Sequence, residues 1–242
     1  MRCKYLDHQI NVRTDGQYRL CCMSLEPEND YNIKTHTPQE WHNSEFHKKT
    51  REQMERNEWP DACTRCEQME KQGLTSQKLK LKAYGPGLSH LDLRLGNSCN
   101  LKCISCWHMS SSSIAEEAIA MQKAGITPLH GILDVPNFNW SSEETFDKLL
   151  ELPIQEVYFT GGEPMMVKHL PAFLERLDPD TQIRFNTNCT IWNPKLEKLL
   201  RKFRMVIMSL SLDATDRRID YIRHGSKSVS YTHLTLPTKR IV

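Results

Sequence analysis

Residues 89–107 read SHLDLRLGNSCNLKCISCW, and this stretch decides the predicted fold. Residues 89–95 alternate polar and apolar side chains, which is typical of a β-strand. Cys99, Cys103 and Cys106 follow in a C-x3-C-x2-C spacing. Three cysteines this close on one loop can surround a small metal cluster, whereas a lone buried cysteine is more often an inert core residue. A structural zinc site needs a fourth ligand, which this segment does not supply.

Strand and helix patterns alternate after these cysteines. Strand patterns cover 154–160, 181–187 and 205–212, and the last of them is of the fully buried type. Helix patterns cover 110–124, 167–177 and about 215–224. Two further helices are predicted to begin at a capping box over 141–144 and at Asn193-Pro194. Residues 126–140 have no clear period. Four β-α repeats predict an α/β fold with a parallel sheet, too few for a closed eight-stranded barrel.

The first 86 residues are predicted to form a small Cys-rich α+β module. Residues 11–22 have the pattern of a hairpin that turns at Asp15-Gly16, and Thr37-Pro38-Gln39-Glu40 is typical of a helix start with a capping box. Gly85-Pro86-Gly87 marks the boundary, so the β-α repeats are expected to form a second unit over 87–227. Residues 228–242 continue neither pattern and resemble translated sequencing-adapter read-through. We therefore expect a non-native tail on a C-terminally truncated chain.

Composition excludes several classes of protein. The chain of 242 residues is 38% hydrophobic and 26% charged, which excludes fibrous and fully disordered proteins. A net charge of +2 argues against strong electrostatic binding to nucleic acid or membranes, and no apolar stretch is long enough to span a bilayer. The first residues lack a secretory pattern, so a cytoplasmic location is expected. In a reducing compartment, nine clustered cysteines more often bind metal than form disulfides.

The cysteine motif resembles the signature of the radical S-adenosylmethionine (SAM) superfamily. Three later segments resemble that family's other motifs and end successive strands: Gly161-Gly162-Glu163-Pro164, Asn186-Thr187-Asn188, and the run 209–213 with Ser211 and Asp213. Cys189 stands where the family usually has glycine, and Ser105 where an aromatic residue is frequent. The resemblance implies a partial (β/α) radical SAM barrel with about four of its six βα units.

The resemblance also implies a set of site residues. Cys99, Cys103 and Cys106 would hold a [4Fe–4S] cluster whose open iron binds SAM. Gly161 and Gly162 would let the backbone approach the methionine end of SAM, Glu163 would meet its ammonium group, and Ser211 and Asp213 would lie near its ribose. The expected activity is reductive cleavage of SAM to a 5′-deoxyadenosyl radical, which abstracts hydrogen from a substrate. Flavodoxin or ferredoxin is the expected type of electron donor.

A second group of cysteines resembles the twitch and SPASM modules of bacterial and phage radical SAM proteins. Cys3, Cys21, Cys63 and Cys66 would close an auxiliary [4Fe–4S] cluster, although four cysteines also suit zinc or remain free thiols. Cys22 is an alternative to Cys21. Only one of the two is expected to bind, because neighbouring residues of a strand point to opposite faces. Auxiliary clusters accompany peptide or protein substrates in this family, so that substrate class is expected first and a small molecule second.

Two rival interpretations compete with this one. The first is a non-catalytic zinc protein that binds nucleic acid through Lys78, Lys80 and Lys82, although a solvated linker is the simpler interpretation of those lysines. The second is a scaffold that holds clusters without turnover. The sequence leaves open whether Arg94 and Arg223 project into the site.

Overall fold

The structure is a computed structural model. It describes residues 1–25, 27, 29–81, 87–128, 138–214 and 216–227. The predicted boundary at 85–87 falls mostly on residues outside this set, and the predicted tail at 228–242 lies wholly outside it. The division of the chain at residue 86 therefore stays a prediction.

Eight strands and nine helices are present in the described residues. The strands are Gln9–Val12 (β1), Tyr18–Arg19 (β2), His90–Arg94 (β3), Lys102–Cys103 (β4), Glu156–Thr160 (β5), Gln182–Thr187 (β6), Val206–Leu210 (β7) and Arg223–His224 (β8). The helices are Lys4–His8 (α1), Pro38–His42 (α2), Glu45–Glu55 (α3), Thr64–Lys71 (α4), Ser112–Lys123 (α5), Glu143–Leu150 (α6), Leu170–Arg176 (α7), Pro194–Leu200 (α8) and Arg218–Ile222 (α9). None of these helices is long and apolar enough to cross a membrane.

Six strands form one sheet in the order β2-β1-β3-β5-β6-β7. The pairs β1–β3, β3–β5, β5–β6 and β6–β7 are parallel, and β2 is antiparallel to β1. This arrangement confirms the predicted α/β class with a partial parallel barrel sheet. The carboxyl ends of the parallel strands therefore lie at the same edge, where ligands of parallel α/β folds bind.

The two faces of this sheet differ in chemistry. Apolar residues on one face pack against the helices, and Phe159, Phe173 and Phe146 form successive ring contacts there. Residues in between on the same strands are mostly polar and line the other face: His90, Asp92, Arg94, Glu156, Tyr158, Thr160, Gln182 and Arg184. They border a cavity of about 960 Å³, which we call the lumen cavity. Strand alternation thus separates the core from a polar interior.

The N-terminal hairpin forms as predicted but belongs to the main sheet. Asn11 pairs with Arg19 across the turn, where Gly16 has φ +88°. Ile10 pairs in parallel with Leu91 of β3, an arrangement that the sequence analysis did not predict. The capping box between Thr37 and Glu40 is also present.

Three predicted elements differ in detail. Helix α6 begins one residue later than predicted, because Ser142 rather than Ser141 caps it. Strand β7 is not buried: Ile207 is 41% exposed, because its side chain lines the lumen cavity. No described strand pairs with the outer edge of β7. The last helix ends at Ile222, and β8 then pairs antiparallel with β4 in the cysteine loop. Residues 129–137 of the segment without a period lie outside the described set.

Trp140 offers a test of the packing. It is 2% exposed, and its indole Nε1 donates a hydrogen bond to the Arg94 carbonyl over 2.7 Å. We expect Trp140→Ala to lower the free energy of unfolding by about 3–5 kcal/mol, because it leaves a cavity and removes one of the two hydrogen bonds that the Arg94 carbonyl accepts. The control is Trp192→Ala, at a side chain that is 53% exposed, with an expected change below about 1 kcal/mol. Urea unfolding measures both, and equal losses would contradict this packing.

Candidate functional site

The three cysteines of the motif lie on the loop between β3 and α5. Serines at the start of α5 hold this loop: the Ser113 hydroxyl donates to the Cys99 carbonyl over 2.8 Å, and the Ser111 hydroxyl to the Leu101 carbonyl over 2.6 Å. Strand β8 holds the loop from the other side through its pairing with β4. All three cysteines are half-buried and line a cavity of about 240 Å³, which we call the cluster cavity.

The segments predicted at successive strand ends meet around this cavity. Its lining includes Cys99, Cys103 and Cys106, together with residues that follow or end β5, β6 and β7: Thr160, Gly161, Gly162, Asn186, Thr187, Asn188 and Ser211. The side-chain amide nitrogen of Asn188 (Nδ2) lies 3.9 Å from the Cys99 sulfur. The structure therefore brings together motifs that are more than 100 residues apart in the sequence.

The two glycines of the second motif face the cysteine loop. A Cβ at Gly162 would lie 2.2 Å from the Ser98 carbonyl oxygen, and one at Gly161 would lie 2.7 Å from that of Gly96. Backbone hydrogen bonds join the two loops, from Gly162 N to Gly96 O (2.9 Å) and from Glu163 N to Ser98 O (2.7 Å). The absence of a Cβ is thus required for loop-to-loop packing, a different reason from the predicted approach of SAM.

Glu163 is 1% exposed, and its carboxylate already has several donors. It accepts hydrogen bonds from the Met165 amide (3.0 Å), the Thr187 hydroxyl (2.8 Å) and the Asn188 amide (2.7 Å). Burial raises the pKa of this carboxyl, while these donors oppose the increase. The side chain therefore ties the end of β5 to the end of β6. Its predicted contact with the SAM ammonium group stays a prediction.

The last motif divides into two parts. Ser211 lines the cluster cavity, and its amide donates to the Thr187 carbonyl over 2.9 Å. Asp213 forms an ion pair with Arg223 over 2.6 Å. The carboxylate that was predicted to lie near the ribose therefore already has a partner within the protein. Arg223 lines the cluster cavity, and its Nη1 lies 3.8 Å from the Cys103 sulfur. The sequence left open whether this arginine projects into the site, and the pairing of β8 with β4 places it there.

Cys189 keeps the turn that glycine usually makes in the third motif. Its φ is +57°, in the left-handed region that favours glycine. Its amide donates to the Thr187 hydroxyl over 3.1 Å, and its thiol lies 3.8 Å from the Thr187 carbonyl. These local contacts hold a cysteine in a backbone conformation that is unfavourable for it.

The residues around the cluster cavity fit an iron–sulfur cluster. Burial raises the pKa of all three thiols, and the positive charge of Arg223 opposes that increase at Cys103. Metal binding requires the thiolate, so nearby cations and N–H groups favour the bound form. No three His, Cys, Asp or Glu side chains in the described ranges are close enough to hold a single ion. Three thiols on one cavity suit a cluster with one open iron.

The N-terminal cysteines lie around a separate cavity of about 20 Å³. Cys3, Cys21, Cys63 and Cys66 all line it, whereas Cys22 lines the lumen cavity. The side chains of Cys21 and Cys22 thus lie against different cavities, although both residues follow β2 and Cys22 lies in a turn. Four thiols are the ligands of either a closed cluster or a zinc site. In this structure they are not close enough to hold a single ion, and the space they enclose is close to that of one water molecule.

Lys78 also lines this small cavity. It is 9% exposed, forms an ion pair with Glu70 over 3.1 Å and lies 4.6 Å above the Trp59 ring. The interpretation of the lysine strip as a solvated linker is therefore wrong for Lys78. Lys80 lines the lumen cavity, and Lys82 lies outside the described residues.

The lumen and cluster cavities adjoin. Ser110, Thr160 and Gly161 line both of them. Residues from the N-terminal part, including Tyr5, Cys22 and Gln77, close one side of the lumen cavity. A molecule in the lumen cavity therefore has access to the space in front of the three cysteines.

Gly162→Ala tests the contact between the two loops. The new Cβ collides with backbone, so we expect the free energy of unfolding to fall by about 1–3 kcal/mol and alkylation of Cys99 to become faster. Gly125→Ala is the control: its φ is +75°, but nothing lies within 4 Å of the added Cβ. It carries only the left-handed penalty of about 1 kcal/mol and leaves Cys99 unaffected. Urea unfolding and mass spectrometry of alkylated thiols give both values. Unchanged Cys99 reactivity in Gly162→Ala would contradict this role.

Asp92 provides a test of pH dependence. Burial raises its pKa from 3.8 to about 6, which nearby Arg94 partly opposes. The folded protein therefore keeps a proton that the unfolded chain releases, and stability is lost as the pH rises from about 4 to above 6. We expect Asp92→Asn to remove this loss, which amounts to roughly 3 kcal/mol. Chemical unfolding at several pH values measures it, with the exposed Asp147→Asn as control. Parallel stability curves for wild type and Asp92→Asn would exclude the effect.

Comparison with known proteins places this geometry in a family. The radical SAM superfamily profile matches residues 93–232. The probable GTP 3',8-cyclase of Methanocella arvoryzae is 29% identical over 141 residues, which cover 57% of this chain and 38% of that protein. The GTP 3',8-cyclase of Thermodesulfovibrio yellowstonii is 29% identical over 140 residues, covering 55% and 37%. The alignments thus span less than half the length of these curated relatives.

A solved structure is also similar. Streptococcus suis SuiB bound to S-adenosylmethionine is matched over 86% of this chain and 36% of that chain, with a TM-score of 0.37 and 15% sequence identity. The family match is the finding that assigns the chain, because it covers more than half of the residues and includes all the motifs around the cluster cavity. The chain belongs to the radical SAM superfamily.

Proposed function

We propose that this chain reductively cleaves SAM at a [4Fe–4S] cluster held by Cys99, Cys103 and Cys106, and abstracts hydrogen from a substrate. Membership of the family implies the cluster and SAM as cofactors. The observation that carries the assignment of ligands is the cluster cavity, where three thiols face the ends of the neighbouring parallel strands. When bound, the cluster supplies one electron to the SAM sulfonium, which gives methionine and a 5′-deoxyadenosyl radical.

Residues of the cluster cavity would bind and orient SAM. The backbone of Gly161 and Gly162 and the hydroxyl of Ser211 border the space beside the thiols and offer hydrogen-bonding groups. Glu163 and Asp213 were also predicted to bind SAM, but neither lines the cluster cavity, and each contacts a residue that does. Glu163 fixes the loops through its buried hydrogen bonds, and Asp213 orients Arg223 toward Cys103. We propose that these two acids act mainly by positioning their neighbours.

The second metal site is proposed at Cys3, Cys21, Cys63 and Cys66. Their shared cavity supports this set, and the position of Cys22 in the lumen cavity supports Cys21 over Cys22 as a ligand. An auxiliary [4Fe–4S] cluster follows from the resemblance to twitch and SPASM modules, with a four-cysteine zinc site as the alternative. Lys78 at this cavity would offset part of the negative charge of four thiolates in either case.

The class of substrate has two candidates. A peptide or protein rests on the resemblance to enzymes with auxiliary clusters. A small molecule is supported by the relatives, which are named as GTP 3',8-cyclases, and by the charged and polar lining of the lumen cavity. We place the small molecule first. Flavodoxin or ferredoxin remains the proposed type of electron donor.

Metal analysis after anaerobic reconstitution tests the proposal. We expect about eight irons per chain in the wild type and about four in the Cys99→Ala/Cys103→Ala/Cys106→Ala triple variant. Cys21→Ala should lose the second metal and Cys22→Ala should keep it, so the two variants are matched neighbours. With dithionite and SAM, the wild type should release 5′-deoxyadenosine and the triple variant none.

Other results would change the proposal in defined ways. About four irons that fall to none in the triple variant, with one zinc retained, would make the N-terminal site a zinc site. Zinc without iron would exclude the radical mechanism and favour the non-catalytic rival. Two full clusters without 5′-deoxyadenosine would favour a scaffold that does not turn over.

A further inference from the structure

The charges of the lumen cavity are unequally paired. Its lining has three cationic side chains, Lys80, Arg94 and Arg184, and two carboxyl groups, Asp92 and Glu156. Arg184 and Glu156 form an ion pair over 3.0 Å, and Arg184 also lies 5.1 Å from the centre of the Tyr158 ring. Glu156 accepts a further hydrogen bond from Gln182 over 3.1 Å. The charges of Arg184 and Glu156 therefore offset each other.

Arg94 differs from Arg184 in this respect. In the part of the chain that the structure describes, its guanidinium forms neither an ion pair nor a side-chain hydrogen bond. It lies within electrostatic range of Asp92 and Cys22 without contacting either of them closely. A half-buried guanidinium has lost part of its hydration, and its five N–H donors find no acceptor among the described residues.

The backbone of Arg94 is fixed where the two cavities meet. Its carbonyl accepts hydrogen bonds from the Trp140 indole (2.7 Å) and from the Gly96 amide (2.8 Å). Its partner across the sheet is Thr160, which lines both cavities. Arg94 itself lines only the lumen cavity. A group bound by Arg94 would hold a molecule in the lumen next to the space proposed for SAM.

We propose that Arg94 binds an anionic group, a phosphate or a carboxylate, of a small substrate in the lumen cavity. This inference rests on the proposed function and adds the chemical class of the substrate. A guanidinium is suited to such a group because its planar fork donates two parallel hydrogen bonds to paired oxygens. Lys80 on the same lining adds positive charge.

Binding measurements with two probes test this inference and distinguish a phosphate ligand from a carboxylate ligand. Anaerobically reconstituted protein is titrated calorimetrically with GTP as the phosphate probe and with citrate as the carboxylate probe. We expect at least one probe to bind, and Arg94→Gln to weaken that binding at least tenfold. Arg94→Lys should be intermediate, because it keeps the charge but loses the fork. Arg204→Gln is the matched control: this exposed arginine pairs with Asp180 outside both cavities, and binding should stay unchanged.

The outcomes separate this inference from the proposed function. Binding of GTP alone identifies a phosphate, and binding of citrate alone a carboxylate. Equal binding by wild type and Arg94→Gln, or no binding of either probe to protein that contains iron and cleaves SAM, would overturn the anion site and leave the proposed function intact. Loss of SAM binding in Arg94→Gln with anion binding unchanged would assign the arginine to SAM and also overturn it. Protein without iron would refute the proposed function first.

Discussion

The contact between two loops determines how the site is assembled. The glycines that follow β5 lie against the backbone of residues 96–98, so closely that no Cβ fits between them. Two short backbone hydrogen bonds cross this contact. Glu163, the next residue, then uses its buried carboxylate to hold the end of β6. A continuous set of hydrogen bonds thus runs from the cysteine loop through β5 to β6. Displacement at one of these strand ends would therefore disturb the others.

The same strands provide both a core and an interior cavity. Their apolar residues pack against the helices, and the polar residues in between face a cavity of about 960 Å³. Because the β1–β2 hairpin extends this sheet, the N-terminal part is built onto the barrel strands rather than beside them. It closes one side of the lumen cavity and places Cys21 and Cys22 in different surroundings. Residues of the N-terminal part therefore line both the proposed auxiliary site and the proposed substrate cavity.

The arginines around the two cavities differ in their ion pairs. Asp213 and Arg223 pair beside Cys103, so this arginine adds positive charge next to a proposed iron ligand. Arg184 is neutralised by Glu156, and Arg94 has no counterpart among the described residues. Positive charge and N–H groups near cluster sulfurs stabilise the thiolate form and affect the reduction potential. The same type of residue thus supports a cluster in one place and remains available to a ligand in another.

The sequence by itself determined the strand order of the βα units, the parallel sheet and the meeting of four motifs at one edge. It could do so because strand alternation, capping residues and cysteine spacing are local properties. Tertiary structure alone decided the pairing of β1 with β3, the exposed edge of β7 and the place of Arg223 beside Cys103. It also decided why positions 161 and 162 must be glycine, since a Cβ there would collide with the backbone of the cysteine loop. Each of these depends on contacts between residues far apart in the chain, and local patterns do not encode which distant backbone or charge will be the neighbour.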